Sequence, residues 1–88
     1  MNKNQIILLV DDEVKITKVL EAYLVKSGYN VLSAHDGLCA WELFQSNEIS
    51  LVVLDLMLPD ISGEEICRRI RTPSRGPIVM LTAKSAEI

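Results

Sequence analysis

The sequence predicts an α/β domain built on a doubly wound parallel sheet, and three observations carry that expectation. Four short runs of aliphatic and β-branched residues are separated by stretches whose apolar residues recur with a helical period. A β-α-β-α-β-α-β alternation of this kind pairs its strands in parallel through right-handed crossovers, with helices on both faces of the sheet. The 88 residues, 49% hydrophobic but only 5% aromatic, suffice for one domain with a modest aliphatic core.

The first run, QIILLV at residues 5–10, stops at Asp11 and reads as a buried strand. Beyond Asp12 the period changes: Ile16, Val19, Leu20, Tyr23 and Leu24 fall at i, i+3, i+4, i+7 and i+8, which predicts a helix with one apolar face, stopped by Gly28 at C′. Residues 30–34 form the second strand. Asp36-Gly37 then opens a second helix, with Ala40, Trp41, Leu43 and Phe44 at helical spacing, fraying near Asn47. LVVL at residues 51–54 predicts a third strand buried on both faces and ended by a carboxylate, Asp55. After Pro59, Ser62-Gly63-Glu64-Glu65 is an S-x-x-E capping box for a third helix whose buried face is Ile66, Cys67 and Ile70. The loop TPSRGP at 72–77 precedes a fourth strand at 78–81, which Thr82 ends. No repeat or low-complexity segment interrupts the pattern.

Several function classes are disfavoured. No apolar run approaches the roughly 18 residues of a membrane span, and MNKNQ lacks the features of an export signal, so a cytoplasmic protein without membrane contact is expected. A net charge of −3 with mixed signs does not supply the basic stripe that direct nucleic-acid binding requires. Cys39 and Cys67 have no metal-ligand spacing and read as small buried hydrophobes, while His35, the sole histidine, suits a surface or strand-end position.

The chemistry-bearing residues are Asp11, Asp12, Glu13, Asp55 and Thr82, all at or just past the C-terminal ends of the first, third and fourth strands, the edge where open α/β sheets bind ligands. Strand order decides whether they meet. In order 2-1-3-4 the first and third strands are neighbours, and Asp12 faces Asp55 with Thr82 alongside; in order 3-2-1-4 Asp55 lies two positions away. Converging carboxylates repel unless a cation offsets their charge, and Mg²⁺ is the best fit, held by one or two carboxylates together with waters and a phosphate oxygen. Asp55 could then act as a nucleophile on phosphorus, forming an acyl phosphate. Simpler roles also exist: Asp12 as a cap of the first helix, Asp55 as a turn residue, Thr82 as an N-cap, and Lys84 as a solvated residue.

The stretches LLVDDE (8–13), DLMLPDISG (55–63) and VMLTAK (79–84), in this order, resemble the receiver domains of bacterial two-component response regulators. The LMLPDISG wording is most similar to receivers attached to winged-helix transcription factors. The resemblance implies a flavodoxin-like (CheY-like) fold in order 2-1-3-4, with residues 1–88 forming a receiver domain that lacks the family's last strand and helix. It also implies roles: Asp55 as phosphoacceptor, Asp12 as a direct Mg²⁺ ligand, Asp11 as a ligand through water, the Met57 backbone carbonyl as a further ligand, and Thr82 as the switch hydroxyl. A sensor histidine kinase would donate the phosphoryl group, and the chain would be a switch catalysing its own modification rather than a turnover enzyme. DNA would be reached only through an output domain outside this chain. The family's phosphate-binding lysine is missing here, since Lys84 sits two residues after the switch threonine, so slow or undetectable phosphotransfer is expected of these 88 residues alone. An open fourth-strand edge further predicts a homodimer or swapped oligomer.

Three alternatives compete. A receiver that binds partners without phosphorylation fits the same residues. An aspartyl phosphohydrolase of the haloacid-dehalogenase type would resemble D-x-D, but Met57 stands where its second acid belongs. A flavin-binding module needs hydroxyls and glycine around phosphate, which Asp11, Asp12 and Glu13 would repel without a metal.

Overall fold

The computed structural model describes residues 5–73 and 76–81. Four strands, β1 (Ile6–Val10), β2 (Asn30–Ala34), β3 (Leu51–Asp55) and β4 (Ile78–Leu81), alternate with three helices, α1 (Val14–Lys26), α2 (Gly37–Ser46) and α3 (Gly63–Arg71). The sheet is parallel in order β2-β1-β3-β4, so β1 and β3 are neighbours. The register sets Val10 against Leu54 and Asp55 against Leu81, which brings the C-terminal ends of β1, β3 and β4 to one edge.

Alternation along the strands divides the interior. Leu8, Val10, Val52 and Leu54 point to the face covered by α2 and α3 and pack with Ala34, Ala40, Ile66 and Ile70 into the main core. Ile7 and Leu9, both buried, face the other way, toward α1, and Leu24 of α1 shares a cleft with Ile7 and Leu51. The core is aliphatic, as the composition implies. Among the described residues Trp41 and Phe44, stacked at 6.0 Å, flank it rather than fill it.

Two expectations about burial are corrected. β3 is fully buried on one face only: Val52 and Leu54 are inside, whereas Leu51 and Val53 on the α1 face are half-buried. The apolar stripe of α1 is likewise only half used. Leu20 and Leu24 are partly covered, Ile16 and Val19 are exposed, and Tyr23 is 69% exposed; the one buried side chain of the helix is Thr17. The physical reason is common to both. Among the described residues α1 packs on β1 and β2, and no second helix lies beside it to cover β3 or its own flank.

The helix ends follow local chemistry. Gly28, at φ +99°, takes the left-handed conformation after the Ser27 C-cap that terminates α1. Asp36 caps α2 by accepting the Cys39 N–H at 2.8 Å. Asn47 closes that helix, donating its side-chain N–H to Leu43 O at 3.0 Å. The capping box of α3 forms one arm: Ser62 Oγ accepts the Glu65 N–H at 3.1 Å, while the Glu65 carboxylate is engaged by Arg68 and Arg69. His35 is exposed at the end of β2, with Nε2 3.1 Å from Thr17 Oγ1. Cys39 and Cys67 are free and half-buried, and burial, assisted by Asp36 and Glu42, pushes the Cys39 thiol up, as befits an unreactive packing residue. No helix among the described residues is long and apolar enough to cross a membrane.

Candidate metal centre

The site is built where two buried strands run out of apolar residues. β1 ends in Val10, and the next residue, Asp11, still donates its N–H to Ala34 O of β2 at 3.1 Å, so the sheet holds its backbone while its carboxylate emerges at the edge. Asp11 is 6% exposed, and its Oδ1 accepts the Glu13 N–H at 2.9 Å, turning the chain into α1. Asp12 projects into solvent beside it. Asp55 is the last residue of β3 and is 3% exposed, with Oδ1 accepting the Met57 N–H at 3.1 Å.

Because β1 and β3 are adjacent, ligand atoms from Asp11, Asp12 and Asp55 all lie within 4.8 Å of one another. Three carboxylate oxygens so placed, two from buried residues, form a hard all-oxygen donor set of the kind that suits Mg²⁺, an ion that usually keeps several waters and takes a phosphate oxygen beside one or two carboxylates. A cleft of about 430 Å³ opens from Asp12 along Leu56, Met57, Leu58, Pro59, Ser62 and Glu64, large enough for a phosphoryl group and its waters. Its floor is the β3–α3 loop. Gly63 permits that loop to close tightly: its N–H donates to Leu56 O at 2.9 Å, and a Cβ there would lie 2.5 Å from Asp55 O.

The expected residues therefore divide. Asp11, Asp12 and Asp55 converge. Glu13 does not join them; it is the N-cap position of α1, and no side-chain bond caps that helix, so Asp12 is not its cap. Met57 is exposed and lines the cleft. Thr82 and Lys84 lie outside the described residues. Asp60, which strand-end reasoning passes over, bonds to the start of α2 and bears on the shape of the loop; a loop carboxylate in no periodic pattern gives no signal in a single sequence.

A parallel sheet in this order, with an acidic cluster at the carboxyl ends of its first and third strands, defines a CheY-like α/β domain with a metal-competent edge. The chain belongs to the response regulator receiver domain family, whose model matches residues 7–88. It is 38% identical to the response regulator TrrA of Thermotoga maritima, solved with Mg²⁺ and beryllofluoride, over 93% of this chain and 72% of that one, with a TM-score of 0.85. A chain from the complex of the histidine kinase ThkA with TrrA matches at 39% identity over 92% of this chain and 71% of the other, TM-score 0.84. The activated N-terminal receiver domain of Klebsiella pneumoniae RstA matches at 36% identity over 89% and 67%, TM-score 0.84. A receiver domain is a signalling switch rather than a turnover enzyme.

Proposed function

We propose that this chain is the phosphoacceptor of a two-component pathway, receiving a phosphoryl group on Asp55 from a sensor histidine kinase. The observation that carries the reading is the burial of Asp55 at a strand end within ligand distance of Asp11 and Asp12. That a similar regulator was solved in complex with a histidine kinase, and with Mg²⁺, supports the donor and the ion. Asp12 would hold Mg²⁺ directly and Asp11 through water, with Asp55 and the Met57 backbone carbonyl completing the protein's share. The bound ion would neutralise charge on the acyl phosphate and on the transferring oxygens.

The remaining work falls to the chain itself. A carboxylate oxygen of Asp55 attacks phosphorus in line; the O–P bond forms as the P–N bond of the donor phosphohistidine breaks, and the freed imidazole takes up a proton. Thr82, one residue past Leu81, which pairs with Asp55, would supply the hydroxyl that reads the new phosphoryl group. Residues 1–88 would act as the receiver unit, in the cytoplasm, upstream of a DNA-binding output domain; that last point rests on the wording of residues 55–63. Incubation with a small phosphodonor and Mg²⁺ should add the mass of one phosphoryl group, and Asp55→Asn should abolish it. Modification at Asp60 or Asp36 instead would refute the assignment.

A second proposal concerns self-association. β4 pairs only with β3 among the described residues, and Val79 and Met80 on it are exposed, as are Ile16, Val19 and Tyr23 on α1. A homodimer, by edge pairing or by exchange of elements, would bury these surfaces.

A further inference from the structure

The floor of the acidic cleft is tied to a helix that takes no part in the site. Asp60 leaves the β3–α3 loop to meet the start of α2: Oδ1 accepts the Gly37 N–H at 2.7 Å and Oδ2 the Leu38 N–H at 3.0 Å. Oδ1 also accepts the Ile61 N–H at 2.7 Å, which fixes the carboxylate within its own loop. α2 already carries a cap, since Asp36 accepts from Cys39. The leading N–H groups of the helix are thus divided between two carboxylates, one from the helix's own N-cap and one from a distant loop. The contact is close, for a Cβ on Gly37 would stand 2.8 Å from Ile61 Cβ. Although Asp60 is exposed, the Gly37 N–H above all, with those of Leu38 and Ile61, holds its carboxyl below the usual range, the expected result of hydrogen bonds to the charged form.

The segment 55–63 is therefore pinned in three places. Met57 N–H donates to Asp55 at one end, Gly63 N–H donates to Leu56 O at the other, and Asp60 holds the middle against α2. Without Asp60 the stretch carrying Met57, Leu58 and Pro59, which lines the cleft, would be held only at its ends.

We propose that Asp60 is a positioning residue for the acidic site: by clamping the β3–α3 loop onto the start of α2 it fixes the Met57 backbone beside Asp55 and so sets the affinity for the divalent cation. This rests on the reading of Asp11, Asp12 and Asp55 as a Mg²⁺ site.

The test is a Mg²⁺ titration of the 88-residue chain followed by amide chemical shifts, with thermal melts recorded in parallel. Asp60→Ala should weaken binding about tenfold, the lower end of what loss of an outer-shell partner costs. Asp60→Asn keeps an acceptor for one helix N–H and loses the other, so its affinity should be intermediate. Asp36→Ala removes a cap from the same helix without touching the loop; it should lower the melting temperature and leave Mg²⁺ affinity as in wild type. Wild-type affinity in either Asp60 variant overturns the clamp, and so does an equal loss in Asp36→Ala, which would reduce the effect to helix stability. Should Asp60→Ala not fold, Asp60→Asn decides alone. Binding that is lost in Asp12→Ala but kept in both Asp60 variants removes the clamp and leaves the metal reading intact. A wild-type chain that does not bind at the acidic edge removes both.

Discussion

Gly63 shows how little room the site has. A methyl group at that position would meet both Asp55 O and Leu56 Cα at 2.5 Å, backbone atoms that cannot move without shifting Asp55 itself. Gly63→Ala is expected to destabilise the fold by about 1–3 kcal/mol, the usual cost of forced overpacking, and to displace the Asp55 amide resonance. A melting temperature and spectrum unchanged from wild type would show that the loop yields freely. At this scale Asp11 and Asp55 were legible because each directly follows an aliphatic run, where an apolar residue would cost nothing and a carboxylate needs a reason, and Asp12 because it extends the first of these ends. Glu13 looked equivalent in the sequence, yet the turn into α1, set by the Asp11 bond to its N–H, carries it away from the cluster. Asp60 was not legible because its partners, Gly37 and Leu38, are distant in sequence and offer only backbone N–H groups.

All seven elements were legible from period and punctuation, since strand and helix spacings differ and Gly28, Asp36 and Ser62 mark helix ends by their own hydrogen-bonding or conformational preferences. What covers a face was not legible. The stripe on α1 is a true apolar face, but periodicity says only that such a face exists; whether a neighbour buries it depends on tertiary packing, and here Ile16, Val19 and Tyr23 meet solvent. Together with β4, which among the described residues pairs only with β3, this predicts self-association. Light scattering coupled to size exclusion at micromolar concentration should report a dimer or larger species, and Val19→Lys with Tyr23→Lys should shift it toward monomer. A stable wild-type monomer under those conditions would contradict the prediction.

For the molecule as a whole, one topological fact turns scattered acids into a site. Asp11, Asp12 and Asp55 come together only because β1 neighbours β3, and local pattern left that order open; the family resemblance implied it, and the register of Val10 with Leu54 displays it. The sheet edge then offers buried carboxylates whose charge is best matched by a small hard cation, and the phosphoryl transfer proposed for Asp55 depends on that match. The most direct check is the Mg²⁺ dependence of amide shifts in the wild-type chain, Asp12→Ala and Asp55→Ala. Shifts centred on residues 10–13 and 54–58 in wild type, with affinity falling at least about tenfold in each variant, are the predicted result. Unchanged affinity in both variants, or shifts centred elsewhere, would contradict it.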